Sequence, residues 1–259
     1  MAKVQLIIDG VEYAGDLSVV ASPPPPPPPP APSPDTRIFE RLTDPYKGAI
    51  IHIKNRIIDC NGLNLIEGQR GGQSVLLENC RIYNALSVYE YGTRNTNVVF
   101  DNCEFPDWLD AHNTLRPAVM RYIVYVDAID PNLKQYVSGR VNAVLLKSCK
   151  LGSAYREHPI RIEGASALKM TDTVVTDKFD ESFKANSVLR FHGTYCEITR
   201  CSLNGYVKFG TAHLNAEDII VEDTTFTGGI KWEGKAKRLL FKNTKFAGLP
   251  YTPPAWVQA

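Results

Sequence analysis

Four short segments of this chain place a single cation between two apolar residues and end on a glycine. They are Pro159–Gly164, Val188–Gly193, Tyr206–Gly210 and Ile230–Gly234. Successive side chains of a β-strand point to opposite faces, so the apolar residues should point inward and the cation outward. The predicted inward set is Ile160, Ile162, Leu189, Phe191, Val207, Phe209, Ile230 and Trp232. The predicted outward set forms one column if the four strands are neighbours: Arg161, Arg190, Lys208 and Lys231.

A column of like charges is repulsive unless carboxylates or an anionic ligand offset it. Two interpretations therefore stay open. In the first, the column is a groove that binds an acidic glycan through Arg161, Arg190, His192, Lys208 and Lys231. In the second, Glu163 and Glu233 neutralise the cations and the surface is a solvated face. Neither interpretation needs a cofactor, and no cluster of acidic residues has the spacing of a calcium site, so we predict no metal and no cofactor.

A glycoside hydrolase would need two carboxylates about 5–9.5 Å apart on adjoining elements. The candidates lie in two excursions between predicted strands: Asp107, Asp110 and His112 in the first, and Asp177, Asp180 and Glu181 in the second. Polar residues are expected in such excursions in any case, and Trp108 with His112 would serve equally well as a contact to a neighbouring subunit. We assign no catalytic residue on this basis.

The elements that would position these residues recur along the chain. Each has a short apolar strand, a polar residue and then one aligned position, occupied by Cys60, Cys80, Cys103, Val126, Cys149, Thr173, Cys201, Thr224 and Thr244. The steps between these positions are 20, 23, 23, 23, 24, 28, 23 and 20 residues. This regularity predicts a solenoid whose aligned side chains stack inward, with the cysteines as buried, reduced thiols rather than disulfides. The Asn or Asp that often precedes the aligned position would turn the chain and hydrogen-bond from coil to coil.

The repeated segments are β-branched and alternating, and they lack the leucine consensus and helical return of a leucine-rich repeat. We therefore expect an all-β fold, a right-handed single-stranded parallel β-helix of about nine coils. An open solenoid end needs a cap. Asp35–Thr43 predicts an N-terminal helical cap, and Tyr251–Ala259 predicts an irregular closing segment.

The front of the chain is predicted to be separate. Residues 1–21 contain strand-like runs around Asp9-Gly10, which indicate a β-hairpin too small to hold a core alone. Residues 22–35 include eight consecutive prolines and predict a stiff polyproline spacer, in preference to a ligand for proline-binding domains. Residues 36–259 then form the β-helix domain with its cap.

Two resemblances follow from these features. The coils from Ala49 to Phe246 resemble the pectate-lyase-like β-helix superfamily. The hairpin and polyproline of residues 1–35 resemble the layout of bacteriophage fibre, spike and head-decoration proteins. That second resemblance implies attachment to virion proteins through residues 1–21, residence in the virion, a host-surface polysaccharide as a partner, and a homo-oligomer such as a trimer.

A third resemblance concerns chemistry. Ser187–Tyr206 resembles the Arg-His-Gly strand of the alginate lyase and chondroitinase B family. The resemblance implies proton abstraction by a basic residue, charge neutralisation by calcium and assistance by an arginine. The chain departs from that pattern because Phe191 stands between Arg190 and His192, and because Glu163 lies where the family has its lysine base.

The bulk composition excludes several classes of protein. Lys plus Arg number 29 and Asp plus Glu number 28, which argues against nucleic acid or a membrane surface as a partner. The sequence has no transmembrane-length apolar run and no signal peptide, so we expect synthesis in the host cytoplasm. The favoured function is a non-enzymatic bacteriophage virion protein that displays a β-helix for glycan or surface binding. The alternative is a lyase or hydrolase that degrades acidic glycans.

Overall fold

A computed structural model describes the part of the chain that carries most of the predicted repeats. The described residues are 4–8, 11–15, 18–19, 50–60, 64–67, 74–83, 85, 87–92, 97–106, 122–127, 129–130, 135–136, 142–152, 158–164, 166–176, 187–210 and 216–258. Among them, none belongs to a helix long and apolar enough to span a membrane.

The described residues are almost entirely β-strands. The first half of the chain contains β1 (Val4–Ile8), β2 (Val11–Gly15), β3 (Ser18–Val19), β4 (Ile50–Lys54), β5 (Ile57–Asp59), β6 (Ile66–Glu67), β7 (Ser74–Glu78), β8 (Arg81–Tyr83), β9 (Ser87–Gly92), β10 (Asn97–Asp101), β11 (Glu104–Phe105), β12 (Tyr122–Asp127), β13 (Ile129–Asp130) and β14 (Gln135–Tyr136).

The second half continues in the same manner. It contains β15 (Asn142–Lys147), β16 (Lys150–Leu151), β17 (Ile160–Glu163), β18 (Ser166–Thr171), β19 (Val174–Thr176), β20 (Leu189–His192), β21 (Tyr195–Thr199), β22 (Ser202–Asn204), β23 (Val207–Phe209), β24 (Ala216–Glu222), β25 (Thr225–Phe226), β26 (Ile230–Trp232), β27 (Ala236–Lys242), β28 (Lys245–Phe246), β29 (Leu249–Pro250) and a 3₁₀ helix, Ala255–Val257.

These strands stack into a solenoid with three faces. The first face has the order β4-β7-β10-β15-β18-β21-β24-β27, and the third has the order β6-β9-β12-β17-β20-β23-β26. The second face runs β5-β8-β11-β16-β19-β22-β25-β28, with β3 and β29 added antiparallel at its two ends. Every other pairing within the faces is parallel, for example Ile160 with Leu189. The predicted all-β parallel β-helix architecture is confirmed.

The prediction of about nine coils is too high. About five turns follow one another from β15 to β28, and the earlier strands extend the same faces, so that the first face holds eight strands. Val126 accounts for one of the excess coils, because it lies on β12 in the third face and not between Cys103 and Cys149. Those two cysteines lie on adjacent coils, since the Lys150 amide donates to the Cys103 carbonyl at 2.9 Å. The 46-residue step that looked like two coils is one coil with a long excursion.

The predicted inward column at the corner between the first and second faces is otherwise present. Its buried members are Cys80, Cys103, Cys149, Thr173, Cys201, Thr224 and Thr244. Cys60 was aligned with them wrongly, because the register of β4 with β7 places Arg56 opposite Cys80. All six cysteines are buried and free of disulfides, as predicted. Burial raises the pKa of Cys60 and Cys201 to about 12, so these thiols stay protonated at neutral pH.

The residue before each column position makes the turn between the two faces. These residues adopt a left-handed backbone conformation with φ near 50°: Asn55, Asn79, Asn102, Ser148, Asp172, Arg200, Asp223 and Asn243. Asn and Asp tolerate this conformation better than most residues because their side chains hydrogen-bond locally. The amide of Asn79 donates to Asn55 and that of Asn102 to Asn79, both at 3.0 Å. The predicted coil-to-coil bonds are confirmed at these corners.

The N-terminal predictions are met in part. β1 and β2 pair antiparallel over Val4–Ile8 and Val11–Gly15, as expected for the hairpin. β3 pairs antiparallel with β5, which places Ser18 and Val19 on the edge of the second face. The polyproline spacer of residues 22–35 and the predicted cap at Asp35–Thr43 lie outside the described residues.

The C-terminal closing segment covers the end of the core. Val257 is fully buried, and Gln258 forms a parallel bridge with Ala236 at the start of β27. The indole Nε1 of Trp232 donates to the hydroxyl of Tyr251 at 2.8 Å. The Tyr251 ring lies 5.6 Å from that of Phe241. The predicted irregular cap is therefore an aromatic contact layer followed by one 3₁₀ turn.

Candidate functional site

The four predicted cations form a column on the third face. Strand pairing places Arg161 opposite Arg190, Arg190 opposite Lys208, and Lys208 opposite Lys231. The inward set is buried as predicted up to β23, while Ile230 and Trp232 are only half-buried. Their greater exposure follows from position, because β26 is the last strand of this face.

Tyr125 extends the column by one strand. It lies opposite Arg161 in the pairing of β12 with β17, and the Arg161 guanidinium carbon lies 4.6 Å from the centre of the Tyr125 ring. A guanidinium over an aromatic face is attracted by the ring quadrupole. Tyr125 was not predicted, because the alignment of the repeats assigned the neighbouring Val126 to the inward column. The strand Tyr122–Asp127 could have been recognised by its similarity in length and alternation to Pro159–Gly164.

Glu163 is the buried carboxylate of the site, with a side chain only 6% exposed. Its Oε1 atom accepts a hydrogen bond from Arg161 Nε at 3.0 Å. The same oxygen lies 3.5 Å from Arg190 Nε and 3.8 Å from His192 Nδ1. One carboxylate oxygen therefore faces three basic groups on two neighbouring strands.

His192 lies between two carboxylates, and its side chain is 2% exposed. Its Nε2 atom lies 3.3 Å from Glu233 Oε2 and 3.4 Å from Arg190 Nε. Burial lowers the pKa of His192 to about 4, and Arg190 acts in the same direction, against the opposing effect of Glu163 and Glu233. The imidazole is therefore neutral at neutral pH and is enclosed rather than presented to solvent.

A glycine lies between His192 and Glu233 on the third face. Gly210 occupies the strand position between them, with φ of +81°. A Cβ atom at this position would lie 2.8 Å from the Gly234 nitrogen, so a larger residue does not fit.

Glu233 pairs with the last cation of the column. Its Oε1 atom lies 2.6 Å from Lys231 Nζ. Although burial opposes ionisation, the hydrogen bond and charge of Lys231 hold the pKa of Glu233 below its usual range. Burial lowers the pKa of Lys208, and the charges of Arg190 and Lys231 add to that effect while Glu233 opposes it.

The column thus has features of both the predicted anion-binding groove and the predicted neutralised face. Glu163 and Glu233 offset part of the charge, while the four cations outnumber these two carboxylates. Arg190 is 30% exposed and Lys231 is 52% exposed, so both reach solvent. The arrangement can bind anions. Its imidazole is too enclosed to exchange protons directly with a ligand.

Other candidate groups lie elsewhere. The candidates in the two predicted excursions lie outside the described residues: Asp107, Trp108, Asp110, His112, Asp177, Asp180 and Glu181. Among the residues that are described, no group of three or more His, Cys, Asp or Glu side chains could hold a metal ion. His158 and Ser187 form a buried pair beneath the start of β17 and β20, with Oγ 2.9 Å from Nδ1. Burial lowers the pKa of His158 to about 3, so this pair is a neutral hydrogen-bonded contact.

Comparison of the chain with protein-family models, with curated proteins and with solved structures finds no match. The fold and the site together define a parallel β-solenoid that carries a cationic column on one face.

Proposed function

We propose that this protein is a non-enzymatic β-solenoid that binds acidic glycans along the cationic column of its third face. The observation that carries the proposal is the in-register alignment of Arg161, Arg190, Lys208 and Lys231 on four adjacent strands. An acidic polymer lying along the column would meet a cation at each step of about 4.8 Å. Carboxylates offset only part of this charge, so an anionic ligand reduces the repulsion that remains.

The absence of catalysis is part of the proposal. Acid–base chemistry on a sugar needs a proton-transfer group within hydrogen-bond reach of the ligand. Among the described residues, Glu163 and His192 contact Arg190, and both are almost entirely enclosed. We therefore expect no new reducing ends and no unsaturated uronates from alginate, pectate or chondroitin sulfate. Turnover that is lost on Arg190→Ala would favour a lyase.

The binding test uses alginate, pectate and chondroitin sulfate with neutral dextran as the control ligand. Affinity for the acidic polymers should fall steeply as salt rises, because exposed charges are screened within about 10 Å at 0.1 M. Arg190→Ala should weaken binding without unfolding the solenoid. Lys150→Ala removes an exposed cation from the second face and serves as the matched control, which should bind as the unaltered protein does. Equal binding of dextran and the acidic polymers would overturn the proposal.

We further propose that the solenoid is displayed on a bacteriophage particle through residues 1–21. The antiparallel pairing of β1 with β2 supports an anchor of this kind, because a two-stranded hairpin is marginal alone and needs a partner surface. The proposed partners are virion proteins, and the proposed assembly is a homo-oligomer. Mass spectrometry of purified particles should find the protein. Its presence only in the unassembled lysate fraction would contradict this placement.

A further inference from the structure

Glu163 differs from the other carboxylates near the column. Glu233 is 25% exposed and faces a lysine that is itself 52% exposed, whereas the Glu163 side chain is only 6% exposed. An ionised carboxylate with so little access to water is destabilising unless cations and hydrogen-bond donors surround it. Arg161 donates a hydrogen bond to Glu163 through its Nε atom. Arg190 adds a second positive charge, with its Nε atom 3.5 Å from the same carboxylate oxygen.

The two arginines are each held from two sides. Arg161 lies between the ring of Tyr125 at 4.6 Å and Glu163 Oε1 at 3.0 Å. Arg190 Nε lies 3.5 Å from the same oxygen and 3.4 Å from His192 Nε2. Glu163 Oε1 lies within 3.5 Å of the Nε atoms of both arginines.

We propose that Glu163 is a positioning residue that orders Arg161 and Arg190 for the glycan. This inference rests on the proposed glycan binding. An unrestrained arginine loses side-chain entropy when it binds a ligand. Holding both guanidinium groups before the ligand arrives removes much of that loss.

The two possible roles of Glu163 predict opposite changes in glycan affinity when its charge is removed. If Glu163 only reduces the positive charge of the column, then removing its charge should strengthen the binding of an anionic glycan. If Glu163 orders the arginines, its removal should weaken binding even though the surface becomes more positive. The direction of change therefore separates the two roles.

Two substitutions of Glu163 separate the effect of its charge from the effect of its side-chain length. Glu163→Gln removes the charge at nearly constant size, and Glu163→Asp keeps the charge but shortens the side chain by one methylene. The matched control is Glu222→Gln on the first face, which makes the same change of charge beside Lys242. Thermal unfolding comes first, and only variants that unfold cooperatively near the unaltered protein are compared.

The measurement is the dissociation constant for alginate at low salt. We expect both Glu163 variants to bind about two- to fivefold more weakly, with Glu222→Gln unchanged, because arginines that are no longer ordered lose side-chain entropy on binding. Stronger binding by Glu163→Gln together with unchanged binding by Glu163→Asp would show a charge-only role and overturn the proposal.

A second readout does not depend on the glycan. Hydrogen exchange at the Nε–H group of Arg161, which donates to Glu163, should be slow in the unaltered protein and fast in Glu163→Asp when followed by NMR. Fast exchange in the unaltered protein would overturn the positioning role whatever the binding result. Slow exchange in a protein that binds no acidic glycan would instead show that the proposed function has failed, and the role in glycan binding with it.

Discussion

Cysteine and threonine share the inward column between the first and second faces because both meet the same two requirements there. Each is small enough for the corner, and each carries one hydrogen-bond donor. The Cys149 thiol lies 3.2 Å from the carbonyls of both Phe100 and Lys147. The Thr173 hydroxyl lies 3.4 Å from the carbonyl of Leu146 and 2.9 Å from that of Thr171, which are the equivalent groups one coil on.

Replacing Cys149 by threonine should therefore be nearly neutral. We expect the free energy of unfolding to change by less than about 1 kcal/mol, because the hydroxyl meets the same two carbonyls. Cys149→Val has the shape of threonine but no donor, and it should be less stable than Cys149→Thr by about 0.5–1.5 kcal/mol. Denaturant unfolding of the two variants measures the difference. Equal stability of Thr and Val at this position would show that the column is fixed by size alone.

The burial of His192 should make the free energy of unfolding depend on pH. Its pKa is about 4 in the folded protein, against about 6.5 in an unfolded chain. Between these values the unfolded state binds a proton that the folded state does not, so stability should fall as the pH is lowered from about 6.5 to about 4.

The control for this prediction is His192→Gln. Its unfolding free energy, measured by denaturant titration at several pH values, should fall less steeply than that of the unaltered protein over the same window. His158 titrates in both proteins and cancels in the comparison. Parallel pH profiles for the two proteins would show that His192 does not contribute.

The corners decide where one strand ends and the next begins. Asn102 has φ of 51° and donates to Asn79 across the coils. Asn102→Ala should destabilise the solenoid by about 1–2 kcal/mol through backbone strain, in addition to the lost hydrogen bond. Asn102→Gly loses the bond but relieves the strain, so we expect the order of melting temperatures to be asparagine, then glycine, then alanine. An alanine variant as stable as the glycine variant would contradict a strained corner.

Much of the strand arrangement could be predicted from the sequence, because the alternation of apolar and polar residues along a strand fixes which side chains point inward. The segments around Arg161, Arg190, Lys208 and Lys231 were aligned correctly, since in each the cation stands between two apolar residues. Val126 was misplaced because two intervals of 23 residues cannot be told from one coil with a long excursion. The contact between Tyr125 and Arg161, and the reach of His192 across Gly210, depend on which strands are neighbours. Local patterns do not carry that information.

The whole molecule should tolerate loss of its N-terminal segment, because each coil packs mainly on its neighbours. Deleting residues 1–34 removes the hairpin and the two residue pairs between β3 and β5. If those pairs contribute about 1 kcal/mol, the melting temperature should fall by about 2–4 °C. The deletion should also abolish incorporation into the parent particle.

The matched control deletes residues 23–34 alone, which keeps β1, β2 and β3 while removing the proline run. A chain that fails to fold without residues 1–34 would make the N-terminal segment part of the solenoid. A truncated chain that still assembles would place the attachment surface on the coils.

β27, the last strand of the first face, has features that oppose edge-to-edge pairing with a second copy of the chain. A terminal strand presents unpaired amide and carbonyl groups on which a second sheet can grow. Three exposed cations lie along this strand, Lys237, Arg238 and Lys242, and Gln258 occupies its start through the bridge to Ala236. A second copy approaching through the same edge would meet like charges along the strand and an occupied first rung. Pairing of β27 with the same edge of a second copy is therefore opposed by these charges and by Gln258.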